Sequence, residues 1–344
     1  MNRTLAAALL IAAALPSLPA LAARPAPKPS FAEQPDTLAF TRDFAQREGF
    51  DPDTLLKLFA RVHSNPKVLQ LIRPPSSPLQ RSWERYRPRF LNERRIEGGA
   101  RFWAEHRETL ARATALYGVP EEIIVAIVGV ETEYGRNTGG FSVLEALATL
   151  AFDYPPRAEF FRTELEQFLL LTRENGLDPL AVKGSFAGAI GIPQFMPGSQ
   201  RRYAVDFDGD ARIDLGGSTA DAIGSVARFL ERHGWQAGQP VAVPALTAAP
   251  PEPAFLEAGI RPSLSVATLA EKGITGEAPP TATVTLVDLV SPGRDTEYWL
   301  GFENFYVITR YNRSSFYAMA VFQLAEAIRG RAGEGAGGKV EGLR

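Results

Sequence analysis

The stretch Glu121 to Glu133 constrains this chain more than any other. Ile123-Ile124-Val125-Ala126-Ile127-Val128-Gly129-Val130-Glu131-Thr132-Glu133 is apolar on almost every face of a helix. A helix without a polar face is stable only when protein surrounds it, so it must lie at the centre of a sizeable helical core. Glu131 closes the apolar run. A carboxylate placed there is partly desolvated, which penalises its charged form and raises its pKa. An acid still protonated near neutral pH is what protonating a glycosidic oxygen requires. Glu133 faces elsewhere, because residues i and i+2 do not share a helix face. The plainer alternative for Glu131 is a capping or ion-paired carboxylate near a helix C-terminus, with Arg136 as the partner.

Composition narrows the chemistry further. The 37 Lys+Arg and 39 Asp+Glu give a formal charge of −2, so no basic excess points to nucleic acid. There is no cysteine and only three histidines, which excludes thiol nucleophiles, cysteine-bound zinc, iron–sulfur clusters and disulfides. His63, His106 and His233 are far apart and match no metal motif. What remains is chemistry by carboxylates, hydroxyls, amides or a hard cation.

The 344 residues suggest two compact units at roughly 150 residues per domain. Arg3, the apolar run Leu5 to Leu15 and Ala20-Leu21-Ala22 read as a cleavable signal peptide over 1–22. Without a cysteine to carry lipid, no membrane anchor is expected, and the mature chain reads as soluble and periplasmic. Residues 23–36 are a Pro- and Ala-rich tether. An N-terminal helical domain is expected over 37–110, with Asp36 capping a helix from Thr37 to Glu48 and Asp51-Pro52-Asp53 opening another through Val62. A long amphipathic pattern covers Arg94 to Tyr117, and Gly118-Val119-Pro120 separates it from the apolar helix. Further helices are read over Ser142–Ala151, Arg157–Asn175, Thr219–His233 and Ser314–Arg329. Gln236 to Pro253 looks like a linker, while Thr281–Leu289, Tyr298–Gly301 and Phe305–Arg310 have strand composition. The organisation expected is a helical core over 111–238, an inserted linker and small β subdomain over 239–303, and a return by a strand and helix over 304–330. Residues 331–344 read as a disordered Gly-rich tail.

Two further segments carry candidate chemistry. Lys183 to Pro197 is rich in small residues, with Ser185 and Gln194 able to present polar atoms to a ligand. It is not G-x-S-x-G and has no nearby histidine, so a serine hydrolase is weakly supported; the alternative is a tight connection whose glycines serve packing. Asp206-x-Asp208-x-Asp210-x-Arg212-x-Asp214 has the spacing of EF-hand positions 1, 3, 5, 7 and 9. Carboxylates this close repel unless a hard cation lies between them, and Ca²⁺ takes such ligands, Arg212 giving its backbone carbonyl. Ala211 stands where an EF-hand has glycine and Gly217 where it has a bidentate glutamate; Asp221 is the candidate for the missing ligand. The other reading is a solvated acidic loop.

Taken together, these stretches resemble the lytic murein transglycosylase B family of bacterial wall enzymes. The matching residues are Gly129-Val130-Glu131-Thr132, Phe152-Asp153-Tyr154-Pro155, Gly184-Ser185-Phe186-Ala187-Gly188-Ala189, Gln194-Phe195-Met196-Pro197, Ala204-Val205-Asp206-Phe207, Asp221 to Val226 and Ile308-Thr309-Arg310-Tyr311-Asn312. The resemblance runs from about Phe40 to Gly330. It implies a mainly α fold with a small β subdomain: a lysozyme-like core plus an additional helical domain. It implies cleavage of the MurNAc-β-1,4-GlcNAc bond of peptidoglycan strands, with formation of 1,6-anhydro-MurNAc ends, by one catalytic acid/base, matched by Glu131; a monomer is expected. Ser185, Gln194, Tyr311 and Asn312 match groove positions, as do Tyr86, Arg157, Tyr306 and Tyr317. Where relatives can carry two basic residues after the Tyr-Pro pair, this chain has Pro156-Arg157. A hydrolytic muramidase using the same acid and a non-catalytic wall-binding scaffold are the alternatives, told apart by the ends of released fragments.

Overall fold

A computed structural model describes residues 29–74 and 81–337, with side chains up to 333. The expected signal peptide and residues 23–28 of the expected tether lie outside the described residues; the rest of the tether is not a free linker, because Phe31–Glu33 form a 3-10 turn with Phe31 buried and α1 begins at Pro35. Helices α1 (Pro35–Glu48), α2 (Pro52–Phe59) and α3 (Pro66–Ile72) come first, then a short α4 (Trp83–Tyr86). Helix α5 (Glu93–Glu105) and α6 (Arg107–Tyr117) lead into α7 (Glu121–Thr132), the apolar helix. Proline, not Asp36, starts α1: Pro35 takes the first helical position after Gln34, and Asp36 falls in the first turn. Asp51 caps α2 as read, accepting from the Thr54 amide at 2.9 Å, but the helix stops at Phe59 rather than Val62. The continuous pattern from Arg94 to Tyr117 breaks at His106, which ends α5 and begins α6.

After α7 come β1 (Phe141–Ser142), α8 (Val143–Asp153), α9 (Ala158–Glu174), β2 (Lys183–Gly184), α10 (Pro197–Tyr203) and α11 (Thr219–Arg232). The residues Pro35–Ile72 do not share a core with Trp83–Tyr117. Phe44, Phe59 and Val68 are buried with Leu147, Leu165 and Phe168 of α8 and α9, whereas Trp83, Phe102 and Leu110 join the cluster around α7. The expected boundary at 110 therefore falls inside one packed cluster, because apolar faces pair by contact and not by sequence order.

The chain then builds β3 (Ala242–Thr247), α12 (Pro253–Glu257), β4 (Leu264–Ser265), α13 (Val266–Glu271), β5 (Ile274–Gly276), β6 (Thr283–Leu289) and β7 (Glu297–Gly301). These strands form one antiparallel sheet in the order β4-β6-β7-β3-β5. The stretch read as linker thus contains β3, an inner strand. Its Pro244 pairs with Trp299 of β7 and lies beyond the register of β5, so at most one ladder bond is lost. One sheet face, with Val287 and Leu289, packs on the α7 cluster; the other, with Val284, Leu286 and Leu300, packs with Val266 and Leu269 of α13.

The return to the core is helical. Residues expected as a strand over Phe305–Arg310 form α14 (Glu303–Ile308). Asn304, Phe305, Val307 and Ile308 are buried while Glu303 and Tyr306 are less so, a spacing of three to four that only a helix can satisfy. Asn304 fastens this helix to the turn Gln236–Gln239 that follows α11, accepting from the Gln236 amide and donating to the Gln236 and Gln239 carbonyls at 2.8–2.9 Å. The last helix, α15 (Ser315–Gly337), runs seven residues past Gly330. Arg331–Gly337 is therefore helical where a disordered tail was expected, and Arg331 pairs with Glu93 of α5 at 2.6 Å. Residues 338–344 lie outside the described residues.

Just past the end of α7, one side chain locks that helix against α5. The Tyr134 ring fills a slot made by Gly98, Gly99 and Gly129, and its hydroxyl donates to the Arg95 carbonyl at 2.6 Å. A Cβ added at Gly129 would meet the Tyr134 hydroxyl at 2.5 Å. Alanine ordinarily gains ~1 kcal/mol over glycine inside a helix; overpacking costs ~1–3 kcal/mol. Gly129→Ala should therefore lower the melting temperature, and an unchanged or higher midpoint by calorimetry would reject the slot.

Candidate active site

Glu131 sits in the last turn of α7, and the chain stops being helical directly after it. Glu133 and Tyr134 both adopt left-handed backbone, with φ of 52° and 63°. Two such non-glycine residues in succession are a local cost of ~1–3 kcal/mol each, tolerated only where surrounding contacts impose them. Here the contacts are visible. Thr132 donates to the Ile192 carbonyl at 2.8 Å and accepts from the Gly135 amide at 3.0 Å. Glu133 is buried and paired with Arg94 and Arg136, so the ion pair considered for Glu131 belongs to its neighbour.

The Glu131 side chain is largely covered but still partly exposed, and among the described residues it makes one hydrogen bond, accepting from the Tyr317 hydroxyl at 2.5 Å. Desolvation pushes its pKa up to about 7, and the Tyr317 bond pulls the other way. No ionised side chain contributes to that shift. The carboxyl is therefore about half protonated near pH 7, where an ordinary glutamate is ionised.

Three tyrosines surround it. Tyr317 and Tyr311 are stacked at 6.5 Å with ring planes 15° apart. Burial, with the Glu131 charge adding to it, holds both phenols well above their ordinary pKa, and it raises that of Tyr86 in the same way. Tyr311 donates to the Pro193 carbonyl at 2.7 Å, and Tyr86 packs on Trp83 and Phe316. Tyr86, Tyr311 and Tyr317, read from the sequence as groove residues, are thus brought to Glu131.

The segment Lys183–Pro197 wraps the same end of α7. It begins in the short β1–β2 pair, turns through Ser185 to Ala189, and closes with mutual bonds between Ile190 and Phe195. Gly139, at φ 93°, lies so close that a Cβ there would meet the Gly184 carbonyl oxygen at 2.2 Å, so only glycine fits. Ser185 accepts from the Ala187 and Ala189 amides at 3.3 and 3.0 Å, which leaves its hydroxyl proton as the group free to donate. Gln194, at φ 51°, donates to the Thr138 and Gly191 carbonyls at 3.0 and 2.9 Å. Its carbonyl oxygen makes no hydrogen bond among the described residues. Both side chains shape this turn, and the packing and ligand readings coexist.

Among the described residues, three other expected groove residues make no hydrogen bond or ring contact with the Glu131 group. Arg157 is exposed and lies over Phe160 and Phe161 at 4.4 and 5.1 Å, making no contact with the Glu131 group. Tyr306 lies between the guanidinium groups of Arg261 and Arg310, at the edge of the β subdomain. Asn312 is exposed beside Tyr311, with no side-chain hydrogen bond among the described residues. What the motifs did not single out is Tyr134, which with Thr132 of the Gly129–Thr132 motif supports Glu131 without touching it. The pair Gly98-Gly99 opposite Gly129 was the available signal for the Tyr134 slot.

In the acidic loop, carboxylate oxygens of Asp206, Asp208 and Asp210 come within 4.8 Å of one another. Asp206 accepts from the Gly209 and Ala211 amides at 2.7 and 2.8 Å, and Asp208 from Ser218 at 2.6 Å. Ala211 adopts φ 69°, the backbone that glycine holds in an EF-hand. Asp214 turns instead to the Gly216 and Gly217 amides. Asp221, expected as a ligand, is fully buried, and its two oxygens accept from the Phe207 and Asp214 amides at 2.7 and 2.8 Å. It ties the two ends of the loop together. A loop this acidic, with three hard oxygens converging at the surface, suits a divalent cation of Ca²⁺ type.

Comparison with known proteins gives these features a setting. Residues 32–326 match the family model described as the transglycosylase SLT domain. The chain is 43% identical over 311 residues to membrane-bound lytic murein transglycosylase B of Escherichia coli, covering 87% of this chain and 84% of that protein. The soluble lytic transglycosylase SltB1 from Pseudomonas aeruginosa is 47% identical, with a TM-score of 0.79 over 86% of this chain and 99% of its own. The E. coli lytic transglycosylase Slt35, solved with bulgecin A and with calcium, is 42% identical, with a TM-score of 0.81 over 89% of this chain and 96% of its own. With the lysozyme-like fold of these neighbours, and a match running across almost all of the described residues, the chain belongs to the SLT-domain transglycosylase family.

Proposed function

We infer that the protein is a lytic transglycosylase that cleaves the MurNAc-β-1,4-GlcNAc bond of peptidoglycan and leaves 1,6-anhydro-MurNAc ends. The observation that carries this reading is a single desolvated carboxyl, Glu131, acted on by no other ionised group and surrounded by tyrosines. Ordinary glycosidases use two carboxylates, whereas substrate-assisted ones let the sugar's N-acetyl carbonyl act as nucleophile. Glu131 gives its proton to the glycosidic oxygen as that carbonyl oxygen bonds to C1 and the C1–O bond breaks. The resulting carboxylate then takes the proton from the C6 hydroxyl, whose oxygen attacks C1 and releases the N-acetyl carbonyl. The proton ends on Glu131, and no water is consumed. Tyr317 holds the carboxyl in place, and Tyr311, Tyr86, Ser185, Gln194 and Asn312 serve the glycan.

The identity with the E. coli and Pseudomonas transglycosylases supports the same activity. The E. coli relative is membrane-bound by name. The enzyme proposed here is periplasmic and soluble, on the strength of the leader-like sequence over 1–22 and the missing cysteine; none of the described helices is by itself long and apolar enough to cross a membrane. Fractionation that leaves the mature chain in the membrane would refute this. Calcium is proposed as a structural ion at Asp206, Asp208 and Asp210, in keeping with the calcium-bound Slt35 structure.

Glu131→Gln preserves size and hydrogen bonding but can neither donate nor take up the proton. General acid–base catalysis is worth about 10²–10⁴-fold, and one residue serving both steps should cost at least that. The variant should fold, bind sacculi and release almost no 1,6-anhydromuropeptides by mass analysis. Near-normal turnover would reject Glu131, and reducing muramic acid ends from the parent enzyme would establish hydrolysis instead.

The pH dependence follows from the raised pKa. The free enzyme needs Glu131 protonated, so kcat/KM should fall as pH rises through about 7. The unfolded carboxyl releases its proton near 4.5, so the folded state binds more protons between 4.5 and about 7, and stability drains away across that window as pH rises. At ~1.4 kcal/mol per unit the loss is at most ~3 kcal/mol. Glu131→Gln should therefore melt higher than the parent at pH 8 and alike at pH 4; a gain independent of pH would contradict the burial.

Calcium should raise the melting temperature through binding to the folded state alone, and Asp208→Ala should abolish the rise. Ala211→Gly relieves a left-handed alanine and should itself stabilise the loop by up to ~1 kcal/mol. Melting curves indifferent to calcium and chelator would remove the ion.

A further inference from the structure

On the side of α15 away from Glu131, the β-sheet and the helix leave an open groove. Tyr317 and Ile328 share the face of α15 that meets α7 and α5. Phe322 and Glu326 lie about 140° and about 180° round the helix from Tyr317, at 100° per residue. Opposite them stands the sheet face carrying Ala242, Pro244, Glu297 and Trp299. The space between measures about 620 Å³ and continues along β3 and β7 into a second hollow of about 670 Å³. That is the size range of ligand sites.

Its lining is selective. Trp299 is only partly buried, and Phe322 braces it edge-on at 6.2 Å and 80°. Packed against the core below and braced by Phe322, the partly exposed indole borders both hollows. Arg87 donates to Gln323 at 3.1 Å, so the Gln323 amide N–H₂ has no protein acceptor among the described residues. Around the groove and the adjoining hollow at Trp83, four carboxylates (Glu84, Asp295, Glu297, Glu326) face two guanidinium groups (Arg87, Arg294). Glu84 pairs with Arg294 and Glu326 with Arg329, each at 2.6 Å, while Asp295 and Glu297 make no ion pair among the described residues.

We propose that this groove is a second, non-catalytic binding site for an uncharged glycan segment, which stacks a sugar face on Trp299 and hydrogen-bonds its hydroxyls to Glu297 and Gln323. An aromatic plane beside free acceptors and donors is what a pyranose ring needs: an apolar C–H face against the ring and hydroxyls reaching the rim. With Glu84 paired to Arg294 and Glu326 to Arg329, Asp295 and Glu297 outnumber Arg87, and this small negative excess disfavours a stem peptide carrying its own carboxylates against an uncharged sugar face. The idea rests on the transglycosylase reading for its polymer. A strand held across α15 from Glu131 keeps the enzyme on the wall between cleavages.

The test uses the full chain in the Glu131→Gln background, so that nothing is cleaved, and measures co-sedimentation affinity with uncharged peptide-free strands of β-1,4-linked N-acetylglucosamine (chitin, because stripped murein strands bear a lactyl carboxylate on every MurNAc) and with intact sacculi. Trp299→Ala should weaken binding to peptide-free strands about tenfold, the scale of one lost aromatic contact. Trp299→Phe should restore most of it. In the active enzyme, Trp299→Ala should leave turnover of a soluble peptide-free tetrasaccharide within twofold while slowing release from dilute sacculi. If Trp299→Ala does not fold, Glu297→Ala and Gln323→Ala carry the test, each with a loss of a few-fold. Unchanged strand affinity in folded variants overturns the proposal and leaves a protein as the occupant. A loss seen with intact sacculi but not with the peptide-free strands overturns it in favour of a peptide. Absence of 1,6-anhydro products from the parent enzyme would refute the proposed reaction while these affinities still decide the groove.

Discussion

A helix with no polar face has to be covered by protein on every side, and α5, α6, α11 and α15 supply that cover for α7. Each buried Ile or Val contributes roughly 1.5–3 kcal/mol of gross stabilisation, so this helix is the energetic centre of its core. The same enclosure acts on Glu131. The carboxyl terminates the apolar run, loses most of its water, and holds its proton up to about pH 7. Stability and acid strength thus come from one cause, the exclusion of water around α7.

Holding that carboxyl in place requires the chain to leave the helix abruptly. The two left-handed residues after Thr132 achieve this, and the contacts that impose them come from different parts of the sequence. Gly98 and Gly99 make room for Tyr134, Arg94 meets Glu133, and the Ile192 carbonyl receives Thr132. Tyr311 and Tyr317 approach from the α14–α15 junction, with Tyr311 fastened to Pro193. Local strain at Glu133 and Tyr134 is therefore offset by packing and hydrogen bonds spread over four segments.

The outlying parts follow the same logic of support. Asp221, from the first turn of α11, binds both ends of the acidic loop and leaves Asp206, Asp208 and Asp210 to converge at the surface. The sheet uses one face to extend the core around α7 and the other to build its own small core. Because α15 is buried toward α7 yet borders a groove on its far side, one helix separates the Glu131 site from the Trp299 platform.

By itself the sequence determined the apolar helix, the carboxylate at its end, the acidic loop and the family, since each is written in contiguous residues or in ordered motifs. Glu131, Asp206, Asp208 and Asp210 are legible for that reason. The tertiary structure alone decided which cores the helices join, because α1–α3 pair with α8 and α9 across some 80 intervening residues and no local pattern records a distant partner. It turned Phe305–Ile308 into a helix, since burial every three to four residues outweighed their strand-like composition, and made an inner strand of a Pro- and Ala-rich stretch. It assigned Asp221 to backbone amides rather than to the loop's interior, and Arg157 to two phenylalanine rings. Side-chain direction depends on what lies opposite in space, and that is fixed only when the elements pack.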